Sequence, residues 1–193
     1  MKELEERILK DGIVLEGDVL SVGGFLNQQI DTGLLSRMAD EIKREFSDEP
    51  VTKVLTVEAS GIAIAIAAAT VFGVPAVFAK KSRTSNVVGE VYSARVHSFT
   101  HGTDYLMSVP KRYLAPEDHV LIVDDFLANG EALQGMISIV GQSGATLAGA
   151  AVEIEKGFQG GGDRIRSTGV RVFSLAVLDS MNRGVLTFRP SHS

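Results

Sequence analysis

Two adjacent acids, Asp124 and Asp125, follow the most strand-like stretch of the sequence. Four apolar residues precede them, and a short loop of Ala128, Asn129 and Gly130 separates them from a helix-like pattern. In an open α/β sheet, ligands bind at the carboxyl ends of such strands. Neighbouring carboxylates repel each other unless a cation or hydroxyl groups use them, and a ribose offers two neighbouring hydroxyls. The acids are therefore candidate catalytic residues that would hold a sugar.

The loop after the acids predicts a phosphate cradle. Small side chains allow backbone N–H groups to converge, and the N-terminus of the following helix adds a favourable field for an anion. The alternative is that the acids only cap this helix, which the apolar strand before them and the small loop after them disfavour. The candidate phosphate-binding residues are Ala128, Asn129, Gly130, Glu131 and Ala132.

The elements that must position these residues alternate between strand-like and helix-like periodicity. This alternation is typical of βα units around a mainly parallel sheet, so the predicted fold class is α/β. The predicted strands cover residues 51–58, 74–81, 119–125, 145–156 and 171–178, and the predicted helices begin after Asp31, at Gly61 and near Asn129.

Two segments depart from this alternation. Residues 82–110 combine a polar run with two alternating stretches, which predicts a hairpin or long loop of the kind that often forms a lid. The three glycines at 160–162 are interpreted as a flexible turn.

The bulk properties limit the class of partner. A chain of 193 residues is long enough for one domain with a sizeable core. Its net charge of -5 argues against binding to nucleic acid or to an anionic membrane. No window resembles a membrane helix or a signal peptide, and there is no cysteine, so we expect a cytoplasmic protein that binds small molecules.

Residues Val120 to Glu131 resemble the signature with which type I phosphoribosyltransferases bind 5-phospho-α-D-ribose 1-diphosphate (PRPP). The resemblance extends through FLNQQID, VFAKK and VEIEKGFQ to nearly the whole chain, and it is strongest to the family members that use xanthine. It implies a mainly parallel twisted sheet flanked by helices, in one domain of residues 1–193. A small hood would come from about residues 1–30 and 156–193. Asn129 departs from the signature, because many members carry Thr there.

The resemblance also implies roles around the sugar. Asp124 and Asp125 would hold the ribose hydroxyls, and residues 128–132 would bind the 5-phosphate. The turn of Ala59, Ser60 and Gly61 matches the pyrophosphate loop, in which related enzymes carry a non-proline cis peptide, although it could be an ordinary strand-to-helix turn. Lys81, or else Lys80, would neutralise pyrophosphate, with two solvated lysines as an equally weighted alternative.

For the base, the resemblance assigns four residues. Lys156 would donate to the 6-oxo group of an oxopurine, and the ring of Phe158 would stack on the base. Leu20 and Asn27 belong to the hood, where Asn27 would bind the 2-oxo edge of xanthine. Without the resemblance, Lys156 and Phe158 are typical of a surface, and Asn27 of a turn.

The expected reaction converts xanthine and PRPP to xanthosine 5'-monophosphate and pyrophosphate, as part of purine salvage. Magnesium would arrive bound to PRPP, with no metal site built by the protein, and the enzyme would be a homodimer. Two alternatives stay open: an adenine or hypoxanthine-guanine enzyme of the same fold, and a non-catalytic regulator that senses PRPP. The regulator would need a positive surface and a recognition helix, which the acidic N-terminal segment does not offer.

Overall fold

The protein was analysed as a computed structural model that describes residues 1–17, 19–82, 90–98, 103–182 and 185–190. Most of the polar run at 82–86 and the last residues of the predicted hood, 191–193, lie outside these ranges. Within them, no helix is long and apolar enough to cross a membrane.

The described elements follow the predicted alternation. The helices are α1 (Lys2–Asp11), α2 (Thr32–Glu45), α3 (Gly61–Phe72), α4 (Glu131–Ser143) and α5 (Gly161–Arg166). The strands are β1 (Ile13–Leu15), β2 (Val19–Ser21), β3 (Lys53–Val57), β4 (Ala76–Ser82), β5 (Val91–Ser98), β6 (Thr103–Pro110), β7 (His119–Leu127), β8 (Thr146–Lys156), β9 (Val172–Asn182) and β10 (Val185–Phe188).

Eight of these described strands form the main sheet in the order β10-β9-β8-β7-β3-β4-β6-β5. The five central strands, from β9 to β4, are parallel to one another. Strand β10 pairs antiparallel with β9 at one edge, and β6 and β5 extend the other edge by antiparallel pairing. The predicted mainly parallel α/β sheet is therefore confirmed, as is a hairpin within residues 82–110. All five parallel strands present their carboxyl ends to the same side.

Helix α2 shows how the sequence sets a boundary. Asp31 precedes the helix, and its carboxylate accepts a hydrogen bond of 3.0 Å from the backbone N–H of Leu34. This bond satisfies one of the donors that a helix N-terminus leaves unpaired. Leu35, Met38 and Ile42 then recur at helical spacing and are buried against the sheet.

Helices cover both faces of the sheet, and each face has its own buried apolar cluster. One cluster joins α1, α2 and α3 to the C-terminal strands, with Leu4 and Phe25 in the same cluster as Leu178 and Met181. The other cluster lies between the sheet, α4 and the β5–β6 hairpin. The hood at residues 1–30 and 156–193 stays a prediction, because the first cluster runs without a break from these segments into the sheet.

The structure corrects two expectations. Strand β7 continues to Leu127, two residues beyond the predicted end at residue 125, so Asp124 and Asp125 lie inside the strand and are buried. The three glycines are not a flexible turn: Gly160 precedes α5 in a left-handed conformation with φ of 71°, and Gly161 and Gly162 are buried in its first turn.

Gly149 generates the first prediction. It lies beside a bulge in β8 with φ of 152°, and a Cβ there would be 2.5 Å from the ring of Phe46. We expect Gly149→Ala to lower the free energy of unfolding by about 1 to 3 kcal/mol, because neither the core ring nor the backbone can yield freely. Urea denaturation measures the change.

The matched control is Gly141→Ala in α4, where a Cβ would meet nothing within 4 Å. Here the loss of unfolded-chain entropy should raise stability by about 0.5 to 1 kcal/mol. Equal effects of the two substitutions would contradict the steric explanation.

Candidate active site

The acid pair forms the centre of the site. Asp124 is 5% exposed and Asp125 is 9% exposed, and the backbone N–H of Asp125 donates to Asp124 Oδ1 at 3.0 Å. Burial raises the pKa of Asp124 well above its usual value, and the neighbouring charge of Asp125 raises it further. Two buried acids in contact are costly in the free protein, and cationic or hydroxyl partners would relieve that cost.

A third acid, Glu153, was missed by the sequence analysis. It lies on β8 beside Asp125, because Asp124 pairs with Val152 and Phe126 pairs with Ile154. Glu153 is 2% exposed, and burial raises its pKa well above the usual value, followed by the charges of Asp125 and Asp124. No described residue forms a hydrogen bond or ion pair with its carboxyl group.

Glu155, two residues further along β8, has the opposite environment. It is also buried, but both amino nitrogens of Arg166 bind its carboxylate, at 2.9 and 2.6 Å, and the hydroxyl of Ser174 donates to it. Burial alone would raise the pKa of Glu155, but these bonds outweigh it and hold the pKa below its usual value. The bonds join β8 to α5 and β9.

The loop after β7 has the features of the predicted phosphate cradle. In the described part of the chain, the N–H groups of residues 129–133 donate to no acceptor, and the helical bonds begin with Gln134 N–H to the Gly130 carbonyl at 2.9 Å. Gly130 has φ of 83°, a left-handed conformation that favours glycine. The loop therefore presents a row of unused donors at the N-terminus of α4.

These donors border a cavity of about 460 Å³. Its walls come from four parts of the fold: Glu16, Gly17 and Val19 of the β1–β2 hairpin; Val96, His97 and Tyr105 of the β5–β6 hairpin; residues 126–133 of β7, the loop and α4; and Lys156 and Gln159 after β8. The cavity therefore combines the phosphate cradle with the proposed base-contacting Lys156.

The β5–β6 hairpin owes its position to α4. The side chain of Gln142 accepts from the backbone N–H of Ser93 at 3.1 Å and donates to the Ser93 carbonyl at 2.8 Å. The hairpin is thus hydrogen-bonded to the same helix whose N-terminus borders the cradle, and its Tyr105 lines the cavity. Burial raises the pKa of Tyr105, and the charge of Asp124 adds to this.

The turn after β3 is the predicted pyrophosphate loop. The peptide bond between Glu58 and Ala59, at the start of this loop, is cis, as the resemblance implied for the loop. Gly61 has no room for a side chain, because a Cβ would lie 2.3 Å from the hydroxyl of Thr56 and 2.5 Å from Asp124 Oδ1. This close approach brings the turn directly against the acid pair.

Of the two lysines on β4, Lys81 is oriented toward the site. Its backbone N–H donates to Glu58 Oε1 at 2.6 Å, and its ammonium lies 5.3 Å from the centre of the Tyr105 ring. Its charge also acts on Asp124, where it opposes the rise in pKa. Lys80 is exposed and shows none of these contacts among the described residues.

A second cavity lies between the segment before α2 and the turn after β3. Asn27 and Gln28 line one side, and Ala59 and Ser60 line the other. The side-chain amide of Asn27 donates to Asp125 Oδ2 at 3.4 Å. Asn27 is therefore in contact with the acid pair, which the sequence did not indicate.

The four predicted base-contacting residues are not all brought together. Lys156 lines the first cavity, with its ammonium 5.9 Å from the centre of the Phe126 ring. Leu20 is part of the buried core, and Phe158 is 39% exposed; neither side chain lines a described cavity. Phe126 is the aromatic ring beside Lys156, and it was not among the predicted base-contacting residues.

Comparison with known proteins agrees with this geometry. A family model described as phosphoribosyl transferase domain matches residues 25–185. The xanthine phosphoribosyltransferase of Lachnoclostridium phytofermentans is 51% identical over 191 residues, which cover 98% of each chain. That of Pseudomonas savastanoi is 47% identical over 189 residues, covering 98% of this chain and all of the relative.

Solved structures give the same fold at lower identity. APRTase from Giardia lamblia, complexed with 9-deazaadenine, has a TM-score of 0.76 and 22% identity over 90% of this chain and 96% of that chain. Adenine phosphoribosyltransferase from Rhodothermus marinus has a TM-score of 0.75 and 20% identity over 92% of this chain and all of that chain. The fold that the sequence predicted is therefore confirmed.

Glu153 and Glu155 generate a paired prediction, because they lie on one strand and differ in their partners. Because the pKa of Glu153 is raised, the folded protein retains this proton above pH 4.5, where the unfolded chain releases it, so stability that is fully present below pH 4.5 is lost as pH rises. We expect Glu153→Gln to gain stability relative to the unchanged protein as pH rises above 4.5, by up to about 1.4 kcal/mol per pH unit until the folded protein also releases the proton.

Glu155→Gln should behave in the opposite way. Its lowered pKa means that its contribution is present above pH 4.5 and is lost as pH falls. At neutral pH the variant should lose about 1 to 3 kcal/mol of stability, because Arg166 loses its two charged hydrogen bonds to Glu155. Urea denaturation at several pH values tests both, and parallel pH curves for the two variants would contradict the assigned environments.

Proposed function

This chain belongs to the phosphoribosyltransferase family, and on that premise we propose that it transfers the 5-phosphoribosyl group of PRPP to a ring nitrogen of xanthine. The products are xanthosine 5'-monophosphate and pyrophosphate, so the enzyme acts in purine salvage. The observation that carries the proposal is the common cavity. It joins the unused N–H donors of residues 129–133 to Lys156, with the buried acid pair on the strand that leads into it.

The sugar phosphate fits one half of this arrangement. The 5-phosphate accepts from the N–H groups of the cradle, where the N-terminus of α4 also favours an anion. The ribose hydroxyls donate to Asp124 and Asp125, which replaces carboxylate repulsion with hydrogen bonds to charged acceptors. Ala59, Ser60 and Gly61 contact the pyrophosphate, and the ammonium of Lys81 neutralises part of its charge.

The reaction breaks the bond between C1 and the pyrophosphate oxygen and forms a bond between C1 and the purine nitrogen. Departure of pyrophosphate leaves positive charge at C1, as in other displacements at an anomeric carbon. The protein therefore acts by positioning both substrates and by stabilising the charge on the leaving group, with no covalent intermediate.

Magnesium fits this site as a companion of the substrate. Within the described residues, no group of three or more His, Asp or Glu side chains is placed to hold a metal ion. We expect Mg²⁺ to be held mainly by PRPP oxygens and water, because this ion keeps several waters when it binds substrate phosphates. When bound, it supplies neutralisation of the pyrophosphate charge.

The base occupies the other half of the cavity. Lys156 donates to the 6-oxo group, which excludes adenine because its amino group is a donor. Asn27 is proposed to contact the 2-oxo edge, Leu20 to border the base from the hood, and Phe158 to stack on it. Phe126 joins this set, because it lies in the cavity wall beside Lys156.

The proposal includes a homodimer and a cytoplasmic location. The exposed side chains of Ile66 and Phe78, at 55% and 42%, are of the type that a second copy would cover. A substrate as highly charged as PRPP does not cross a lipid bilayer unaided, so the reaction belongs where PRPP is made.

The direct test is turnover. With Mg²⁺ and PRPP, the purified protein should convert xanthine to its monophosphate, with guanine and hypoxanthine as weaker substrates and adenine inactive, and chelation of the metal should stop the reaction. Asp124→Asn and Asp125→Asn should each lower kcat/KM about 10- to 100-fold, because each weakens a hydrogen bond to a charged group. Circular dichroism checks that both variants fold.

Asp40→Asn, an exposed acid on α2, provides the matched control and should retain full activity. Turnover of adenine alone would replace xanthine as the substrate. Tight PRPP binding without turnover of any purine would favour a regulator.

A second test separates the two edges of the base. Lys156→Ala should lower kcat/KM for xanthine and hypoxanthine alike, by about 10- to 100-fold, because they share the 6-oxo group. Asn27→Ala should lower the ratio of kcat/KM for xanthine over hypoxanthine, which lacks the 2-oxo group.

The contact between Asn27 and Asp125 supplies the contrary outcome. If Asn27 serves only to support Asp125, its removal will raise the KM for PRPP and reduce both bases equally. An unchanged ratio would thus remove Asn27 from base recognition.

A further inference from the structure

The carbonyl group of Asn129, in the middle of the phosphate cradle, has an unusual partner. At the start of α4 it would ordinarily accept from the N–H four residues later, that of Leu133. Instead, Arg164 Nη2 donates to it at 2.7 Å, and in the described chain Leu133 N–H has no acceptor. A guanidinium from α5 thus takes the place of a helical hydrogen bond.

The direction of this bond fixes the direction of a neighbouring donor. In a trans peptide the C=O group and the following N–H point in opposite directions, and the peptide between Asn129 and Gly130 is trans. When Arg164 holds the Asn129 oxygen, the Gly130 N–H must point away from Arg164. Gly130 lines the cavity and Arg164 does not, so this N–H is directed to the side that receives the phosphate.

The first turn of α5 keeps the rest of the loop in place. A Cβ on Gly161 would lie 2.1 Å from the Ala128 carbonyl oxygen and 2.7 Å from Gly130 N, so only glycine permits this approach. Ile165, one residue after Arg164, is buried, and its Cδ1 would lie 3.0 Å from a Cβ at Gly130. Arg166 in turn anchors α5 to the buried Glu155. Arg164 therefore acts from a fixed platform.

We propose that Arg164 is a positioning residue that orients the Gly130 N–H toward the 5-phosphate of PRPP. It acts through the Asn129 peptide and does not touch the phosphate itself. The inference rests on the proposed function, because it assigns the cradle to the sugar phosphate. An exposed arginine outside the cavity wall thereby contributes to the binding of PRPP and not of the base.

The test compares Arg164→Ala and Arg164→Lys with Arg44→Ala, an exposed arginine on α2 that pairs with Glu41. In Arg164→Ala we expect the KM for PRPP and the dissociation constant for ribose 5-phosphate to rise about tenfold, while kcat and the KM for xanthine stay within about twofold. Arg164→Lys, which keeps one donor, should fall between this variant and the unchanged protein. Arg44→Ala should change none of these values.

Nuclear magnetic resonance gives a readout that a merely structural role would not move. Saturating ribose 5-phosphate should shift the Gly130 amide proton to low field in the unchanged protein, and this shift should be lost in Arg164→Ala. An unchanged shift and unchanged affinity in Arg164→Ala would overturn the inference. So would a loss of kcat and xanthine binding in step with thermal stability.

Failure of the proposed function is distinguishable. Ribose 5-phosphate binding without turnover of xanthine would overturn the proposed reaction and leave the cradle assignment in place, and the Arg164 variants would still be compared by affinity. If the unchanged protein does not bind ribose 5-phosphate, the cradle is wrongly assigned and the inference falls with it.

Discussion

The burial of three carboxyl groups at the centre of the sheet is the constraint around which the site is built. Asp124, Asp125 and Glu153 lie on two neighbouring parallel strands, where the packing of helices on both faces keeps water away. Such a cluster is unfavourable until hydroxyls or cations approach it. The charge of Lys81 on β4 acts on Asp124, and the amide of Asn27, from the segment before α2, donates to Asp125. Elements distant in sequence therefore meet at these buried carboxyl groups.

Much of the fold could be predicted because its information is local. Asp31 as a helix cap, Gly144 at the end of α4 and the apolar runs of β3, β7 and β8 are all visible in short windows of sequence. The cradle could be predicted for the same reason, since strand, acids, loop and helix are contiguous. The resemblance to a known family then assigned an expected role to each of these parts.

The missed features depend on contacts across the chain. Glu153 and Glu155 look alike in the sequence VEIEK, and only the position of Arg166 decides which acid is paired. Asn27 contacts Asp125 across a separation of 98 residues, which no local pattern indicates. The glycines at 160–162 were interpreted as a flexible turn because glycine is typical both of flexible segments and of places with no room for a side chain. The second case applies to Gly161, which packs against the loop at 128–130, a neighbour that the sequence does not reveal.

The packing of α5 against the cradle also bears on how this protein tolerates sequence change. Gly161 is buried behind the loop, and any side chain there would collide with the main chain of residues 128–130. Gly162 is similarly limited by Glu155. The main chain of α5 thus forms a second layer behind the loop, and we expect substitutions in this layer to change the shape of the loop although the layer does not line the cavity. Substitutions in this layer are therefore a starting point for changing the loop without changing the proposed base-contacting residues.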